Sequence, residues 1–206
     1  MIDIILFFII IDYLLPTKNN YYLIHSLTNC FIVYTCFPNL INVYIDNSLE
    51  TPFYITQVIY SLHLYHVIYY FNKLRFDDWI HHLLSVFIII PLSLTFNQKS
   101  LLGHTYFFLT GLPGMIDYFL LFLNRNYLLD RQIEKKTNFY LNLLIRQPGA
   151  ILSCAHIIKM LLVNEYSIFE YMNGIFILVI IYWNGIYFMN QILRDYYLNY
   201  YSNKHQ

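Results

Sequence analysis

Arg75-Phe76-Asp77-Asp78-Trp79-Ile80-His81-His82-Leu83-Leu84-Ser85 sets two aspartates and a double histidine where a hydrophobic run begins. Apolar residues then continue almost unbroken to Phe96. A membrane-crossing helix over this run carries both imidazoles about one turn into the hydrocarbon, where ionisable side chains are expensive and mark function. The rest of the chain decides whether this helix lies in a membrane.

Composition points that way. Of 206 residues, 58% are hydrophobic and 12% charged, whereas soluble domains carry about 25% charged residues. Half of an ordinary polar surface is missing, so the surface is expected to face lipid. A net charge of zero argues against nucleic acid as a partner. Cys30, Cys36 and Cys154 lie in apolar runs and form no CxxC pair, so they indicate neither a zinc site nor a disulfide framework.

A bilayer-crossing helix needs about 20 mostly apolar residues. Seven candidate runs occur, at 1–15, 20–37, 53–71, 79–96, 101–123, 139–160 and 171–192. The first is short and carries Asp3 and Asp12. It lacks a basic leader, and alanine occurs only at Ala150 and Ala155, so it is expected to stay as an uncleaved extra helix. No internal repeat or soluble domain separates the runs. The expectation is an all-α polytopic bundle of six to seven membrane helices. Residues 1–19 form an N-terminal hydrophobic segment, 20–192 one membrane domain, and 193–206 a C-terminal tail.

Seven spans place alternate connections on one side. Lys18, Lys73, Arg75, Arg125, Arg131, Lys135, Lys136, Arg194 and Lys204 fall together, against Lys99 and Lys159 opposite. By the positive-inside rule the C-terminus is cytoplasmic and the N-terminus lumenal or external. Counting depth along each helix at about 1.5 Å per residue then brings His25, His63, His66, His81, His82, Asp117 and Arg146 into the cytoplasmic half. His63 and His66 are spaced i, i+3 and share a face.

Two of the runs are interrupted at matching depth, by Gly111-Leu112-Pro113-Gly114 and by Gln147-Pro148-Gly149, with Pro91 nearby in depth. Proline removes a backbone donor and clashes one turn back. In a membrane the freed carbonyls need protein or a wet cavity, so a cavity beside Asp117 and Arg146 is expected.

Asp78 stands four residues before His82, the spacing for a hydrogen bond that raises its basicity and fixes its tautomer. The bland alternative makes His81 and His82 interfacial groups that satisfy a helix end. Asp117 either pairs with Arg146 as a structural lock or serves in proton transfer. His63, His66, His81 and His82 together have the ligand chemistry for iron or zinc. The HxxxH and HxxHH boxes of membrane di-iron oxidases are absent, however, and no metal is expected. The segment Asp130 to Lys136 reads as a solvated face. No G-x-S-x-G elbow, P-loop, GxGxxG or HExxH occurs.

The stretch 75–85 resembles the signature of the TLC-domain membrane family, which includes the ceramide synthases and non-enzymatic lipid-homeostasis relatives. Its pattern is a basic residue, an Asp, a few apolar residues, then His-His and an apolar helix. Asp117-Tyr118-Phe119-Leu120-Leu121 resembles the family's second patch, where ceramide synthases carry His-Asp-x-Ser-Asp. The likeness covers roughly 20–192. Gly114 stands where a ceramide synthase has the first Asp of its pair, and no His-Asp dipeptide occurs. Gly111 to Gly114 fits better with members that are not ceramide synthases.

The resemblance implies a TLC-like protein of the endoplasmic reticulum that handles a membrane lipid of the sphingolipid or phospholipid class, in sensing, trafficking or homeostasis. The alternative it implies is an acyl-CoA-dependent N-acyltransferase. His81, His82 and Asp117 are then the candidate catalytic residues, and Asp78, His63, His66 and Arg146 the candidate lipid-pocket residues. No cofactor is expected, with acyl-CoA as co-substrate only for an acyltransferase.

Overall fold

The computed structural model describes the backbone over residues 1–95 and 98–204. Phe96, Asn97, His205 and Gln206 lie outside the described residues, as do the side chains of Asp77 and of 199–206. The end of the fourth apolar run, the start of the connection after it, and the Lys204 side chain in the charge count therefore lie outside them too.

Every described element is helical. Seven rods follow in order: α1 (Ile2–Leu14), α2 (Asn20–Ile45), α3 (Phe53–Tyr69), α4 (76–95), α5 (Ser100–Arg125), α6 (Arg131–Val163) and α7 (Ile168–Lys204). A short 3₁₀ turn, Phe71–Lys73, links α3 to α4. The central rod is α2, which packs along α5 and against α3. α1 lies on α3, and α7 runs beside α6.

Among the described residues, four helices are long and apolar enough to cross a bilayer: Asp78–Thr95, Ser100–Arg125, Arg131–Val163 and Ile168–Leu198. Burial agrees with lipid as the solvent. Among the described residues, buried polar side chains are as many as buried hydrophobic ones, while Tyr34, Phe87, Leu144, Leu162 and Val179 stand exposed. An apolar exterior around a polar-rich interior is the mark of an integral membrane protein. α1, with 13 residues, is about 20 Å long, short of a hydrocarbon core of about 30 Å. α3, with 17 residues, is about 25 Å long.

Three apolar clusters tie the rods together. Ile5, Phe8, Ile24 and Leu62 join α1, α2 and α3. Ile32, Ile55, Ile90 and Phe107 join α2 through α5. Val43, Leu101, Ile157 and Ile181 close the other end through α5, α6 and α7. Asp12, which looked out of place in an apolar run, is buried and accepts hydrogen bonds from Tyr65 (2.7 Å) and Tyr70 (2.6 Å). Removing that acceptor leaves two hydroxyls without a partner, at about 1–3 kcal/mol for a buried group. Asp12→Ala is therefore expected to lower the midpoint of thermal unfolding in detergent, and Asp12→Asn to lower it less.

The structure corrects the expected breaks. Neither α5 nor α6 is interrupted; each contains a widened π turn, Phe107–Gly111 and Asn142–Arg146. α4 has a third, Ser85–Ile89. Each π turn ends two residues before a proline, namely Pro91, Pro113 and Pro148. The wider turn admits the pyrrolidine ring without ending the helix. α2 also runs through Pro38 to Ile45, beyond the expected end at 37. An interior proline costs about 3 kcal/mol, and the helix beyond it buries Val43 and lets Asn39 donate to the Leu49 carbonyl at 3.3 Å. The expected loop after α5 is likewise shorter, because α6 starts at Arg131 with Asp130 accepting from the Gln132 amide.

Candidate functional site

His63 and His66 leave the last two turns of α3 on one face, and His81 and His82 leave the second turn of α4. The short 3₁₀ link folds these two faces together. The His66 Nδ1 to His82 Nε2 distance is 2.7 Å. The His63 ring lies 5.3 Å from His81 and 5.4 Å from His82, centroid to centroid. One ring nitrogen from each of His63, His81 and His82 lies within 4.8 Å of the other two. His63 and His82 are buried, and His81 is half-buried.

Hydrogen bonds fix part of the proton inventory. His63 Nδ1 lies 2.8 Å from the Ile59 carbonyl. A carbonyl only accepts, so His63 carries its proton on Nδ1 and keeps a lone pair on Nε2. His82 Nδ1 is buried with no partner. The expected Asp78–His82 bond does not form. The Asp78 carboxylate instead accepts from the Arg75 amide (3.0 Å) and guanidinium (3.2 Å), so it caps the start of α4. A free backbone donor at the helix start outcompetes an imidazole one turn further in.

Aromatic stacking extends the cluster across the bundle. Tyr21 on α2 stacks on His66 at 3.7 Å. Its edge meets His25 at 5.3 Å and Tyr118 at 5.8 Å. His25 in turn stacks on Tyr118 at 3.8 Å and accepts from Asn29 Nδ2 at 3.1 Å. The sequence placed His25 at the right depth but gave it no partner. Gly114 is what lets Asn29 in: a Cβ there would come closer than 3.0 Å to the Asn29 amide. The space beside Gly114 is thus filled by a neighbouring side chain.

No ion pair joins Asp117 to Arg146 among the described residues, so the structural lock is not made. Arg146 donates from Nε (3.1 Å) and a terminal nitrogen (2.9 Å) to the Leu109 carbonyl, and from its other terminal nitrogen to Asn142 Oδ1 (3.1 Å). Leu109 is four residues before Pro113, and its carbonyl is the one the proline cannot serve. The guanidinium also lies over the Phe188 ring at 5.1 Å, and Phe188 meets His81 edge-on at 5.8 Å. Asp117 Oδ1 is buried without a partner.

Aromatic rings pack against the histidines at this end of the bundle. Two cavities lie elsewhere along the helices. One, of about 260 Å³, is mostly apolar and is lined by residues including Tyr60, Ile90 and Leu94 on α3 and α4. The other, of about 200 Å³, is lined by Leu121, Asn124, Arg125, Arg131, Glu134 and Lys135. Glu134 corrects the reading of 130–136 as a solvated face. It is 1% exposed, 3.6 Å from Lys135 Nζ, and one of its oxygens has no partner. Glu134, Asn138, Leu141 and Asn142 are all buried, and their helical spacing was the available signal. A second polar cluster was also missed: buried His104 contacts Ser153 Oγ at 3.0 Å and Tyr44 OH at 3.1 Å.

Comparison of the chain with protein-family models, curated proteins and solved structures finds no match. The geometry of its own side chains therefore carries the functional reading.

Proposed function

We propose that the protein is a TLC-type membrane protein that binds the polar headgroup of a membrane lipid, of the sphingolipid or phospholipid class, in lipid sensing, trafficking or homeostasis. The observation that carries this reading is that His82 Nδ1 on α4 and Asp117 Oδ1 on α5 are two of the five buried side-chain atoms left without a partner among the described residues. An unmet buried group costs about 1–3 kcal/mol, and a headgroup that brings hydrogen-bond donors removes that cost. The apolar cavity beside Ile90 and Leu94 suits an acyl chain. In this reading six or seven helices form the TLC-like bundle in the endoplasmic reticulum. The histidine end faces the cytoplasm because the basic connections do.

Lipid retained through gentle detergent extraction and identified by mass spectrometry tests the reading. One lipid class is expected to co-purify with the wild type and to fall at least tenfold in Asp117→Asn, a near-isosteric change. Equal retention by both would refute the role of Asp117. For orientation, an acceptor site for N-glycosylation added at the C-terminus is expected to stay unmodified.

A second reading is favoured by the cationic lining of Arg125, Arg131 and Lys135 around the 200 Å³ cavity, which suits the phosphates of acyl-CoA. Here His81 or His82 takes a proton from an amine, the N–C bond forms, and the C–S bond breaks to release CoA thiol. Asp117 orients the amine. Release of CoA from acyl-CoA and long-chain base, lost in His82→Ala, supports it. No release above that variant excludes it.

A further inference from the structure

We propose that His63, His81 and His82 form a three-histidine site for a divalent transition-metal ion, with Zn²⁺ the best fit. The sequence argued against a metal because its histidines make no known box. The fold supplies the site without one, by bending two helix ends together through the Phe71–Lys73 turn.

Four observations support the assignment. One nitrogen from each ring lies within 4.8 Å of the other two. Zinc–imidazole bonds of 2.0–2.1 Å set tetrahedral ligand nitrogens about 3.3 Å apart, so closing the site takes under about 1 Å of movement per ring. His63 Nδ1–H donates a hydrogen bond to the Ile59 carbonyl at 2.8 Å. That fixes the tautomer with a lone pair on Nε2, the arrangement metal-bound histidines use. His82 is 4% exposed, and its Nδ1 has no partner. One proton lies between His66 Nδ1 and His82 Nε2 at 2.7 Å; in the tautomer where His82 Nε2 donates it, His82 Nδ1 holds a lone pair for an ion. His66 then acts from behind His82, held in place by its stack on Tyr21.

The rest of the surroundings fit a catalytic rather than a closed structural site. Three protein ligands leave one position open. His81 is half-buried and gives the ion a way in. The π turn Ser85–Ile89 begins three residues after His82, and such turns concentrate at functional sites. Three neutral imidazoles leave the full charge of the ion, and Arg146, stacked on the Phe188 ring that also meets His81, adds a cation close by. The fourth ligand is accordingly anionic: a hydroxide or the oxygen of a phosphate or carboxylate.

The ion takes the His82 Nδ1 that the proposed headgroup contact uses, so a headgroup then reaches the site through the open fourth position; the test itself uses no lipid. Untagged protein in detergent is stripped with a chelator, passed through gel filtration, and titrated with Zn²⁺ and then Co²⁺. One Zn²⁺ per chain is expected, and Co²⁺ is expected to give the intense visible bands of a tetrahedral site. His63→Ala and His82→Ala are expected to weaken Zn²⁺ binding by more than 100-fold. His66→Gln keeps the stoichiometry and weakens binding about 10–100-fold, as loss of an outer hydrogen bond does. His104→Gln, at the other histidine cluster, leaves affinity unchanged. Zinc X-ray absorption on the wild type, which needs no variant to fold, is expected to count three imidazoles. Absence of bound Zn²⁺ in monodisperse wild type, equal affinity in folded His63→Ala, or fewer than three imidazoles would each overturn the proposal.

Discussion

Gly149→Ala is expected to cost the bundle about 3 kcal/mol or more, at the upper end of the usual penalty for overpacking. A Cβ at 149 would come closer than 3.0 Å to Cβ, Cγ and Cδ1 of Phe108. Those atoms form the base of the side chain and move only if α5 moves. For a chain of this length the loss corresponds to a fall of roughly 6–12 °C in the unfolding midpoint, measured by circular dichroism in detergent. Phe108 lies inside the π turn of α5, and Gly149 follows the π turn of α6 and its proline. The contact therefore brings together the two turns that Arg146 bridges. Phe108→Ala in the Gly149→Ala background is expected to recover part of the loss, because the two changes share one contact. An unchanged midpoint in Gly149→Ala would show that the helices do not approach here.

Arg146→Leu is expected to cost about 2–4 kcal/mol, although leucine suits a membrane interior. Its side chain cannot replace the two bonds to the Leu109 carbonyl or the one to Asn142. In hydrocarbon no water reaches the carbonyl that Pro113 leaves open. Pro113→Ala supplies a backbone N–H within the same helix. Introduced into Arg146→Leu, it is expected to restore stability; alone, it changes stability little. The cycle reads the coupling directly. Strictly additive effects would mean that the guanidinium is not what satisfies Leu109.

Much of this arrangement is legible in the sequence. The seven apolar runs become seven rods, because hydrophobic length reports helices even where Asp12 or Pro38 interrupts. The i, i+3 pair His63 and His66 meets the doublet His81 and His82, as depth counting requires. The three prolines announce irregular helix turns. What they do not announce is that the helix continues through a π turn, since a proline reads the same whether its helix stops or widens. Partner choice is the other blind spot. Asp78 has both His82 and the free amide of Arg75 within reach, and only the cap geometry decides between them. Arg146 faces a carboxylate and an open carbonyl at similar depth, and only helix rotation selects the carbonyl. Glu134 sits in a run of charges that hides its place on the buried face with Asn138, Leu141 and Asn142. The site's ligand is less legible still, because a triad of imidazoles built across two helices leaves no box in the sequence.

The central claim is that the histidine end of this bundle receives a lipid headgroup, and photocrosslinking tests it most directly. A lipid with a diazirine in its headgroup is incorporated into membranes holding the protein, activated, and mapped by peptide mass spectrometry. Labelling is expected to concentrate in peptides spanning 59–85 and 109–118 and to be displaced by excess unlabelled lipid of the same class. Labelling spread evenly over exposed helix faces such as those of Tyr34, Leu144 and Leu162, and not displaced, would contradict it.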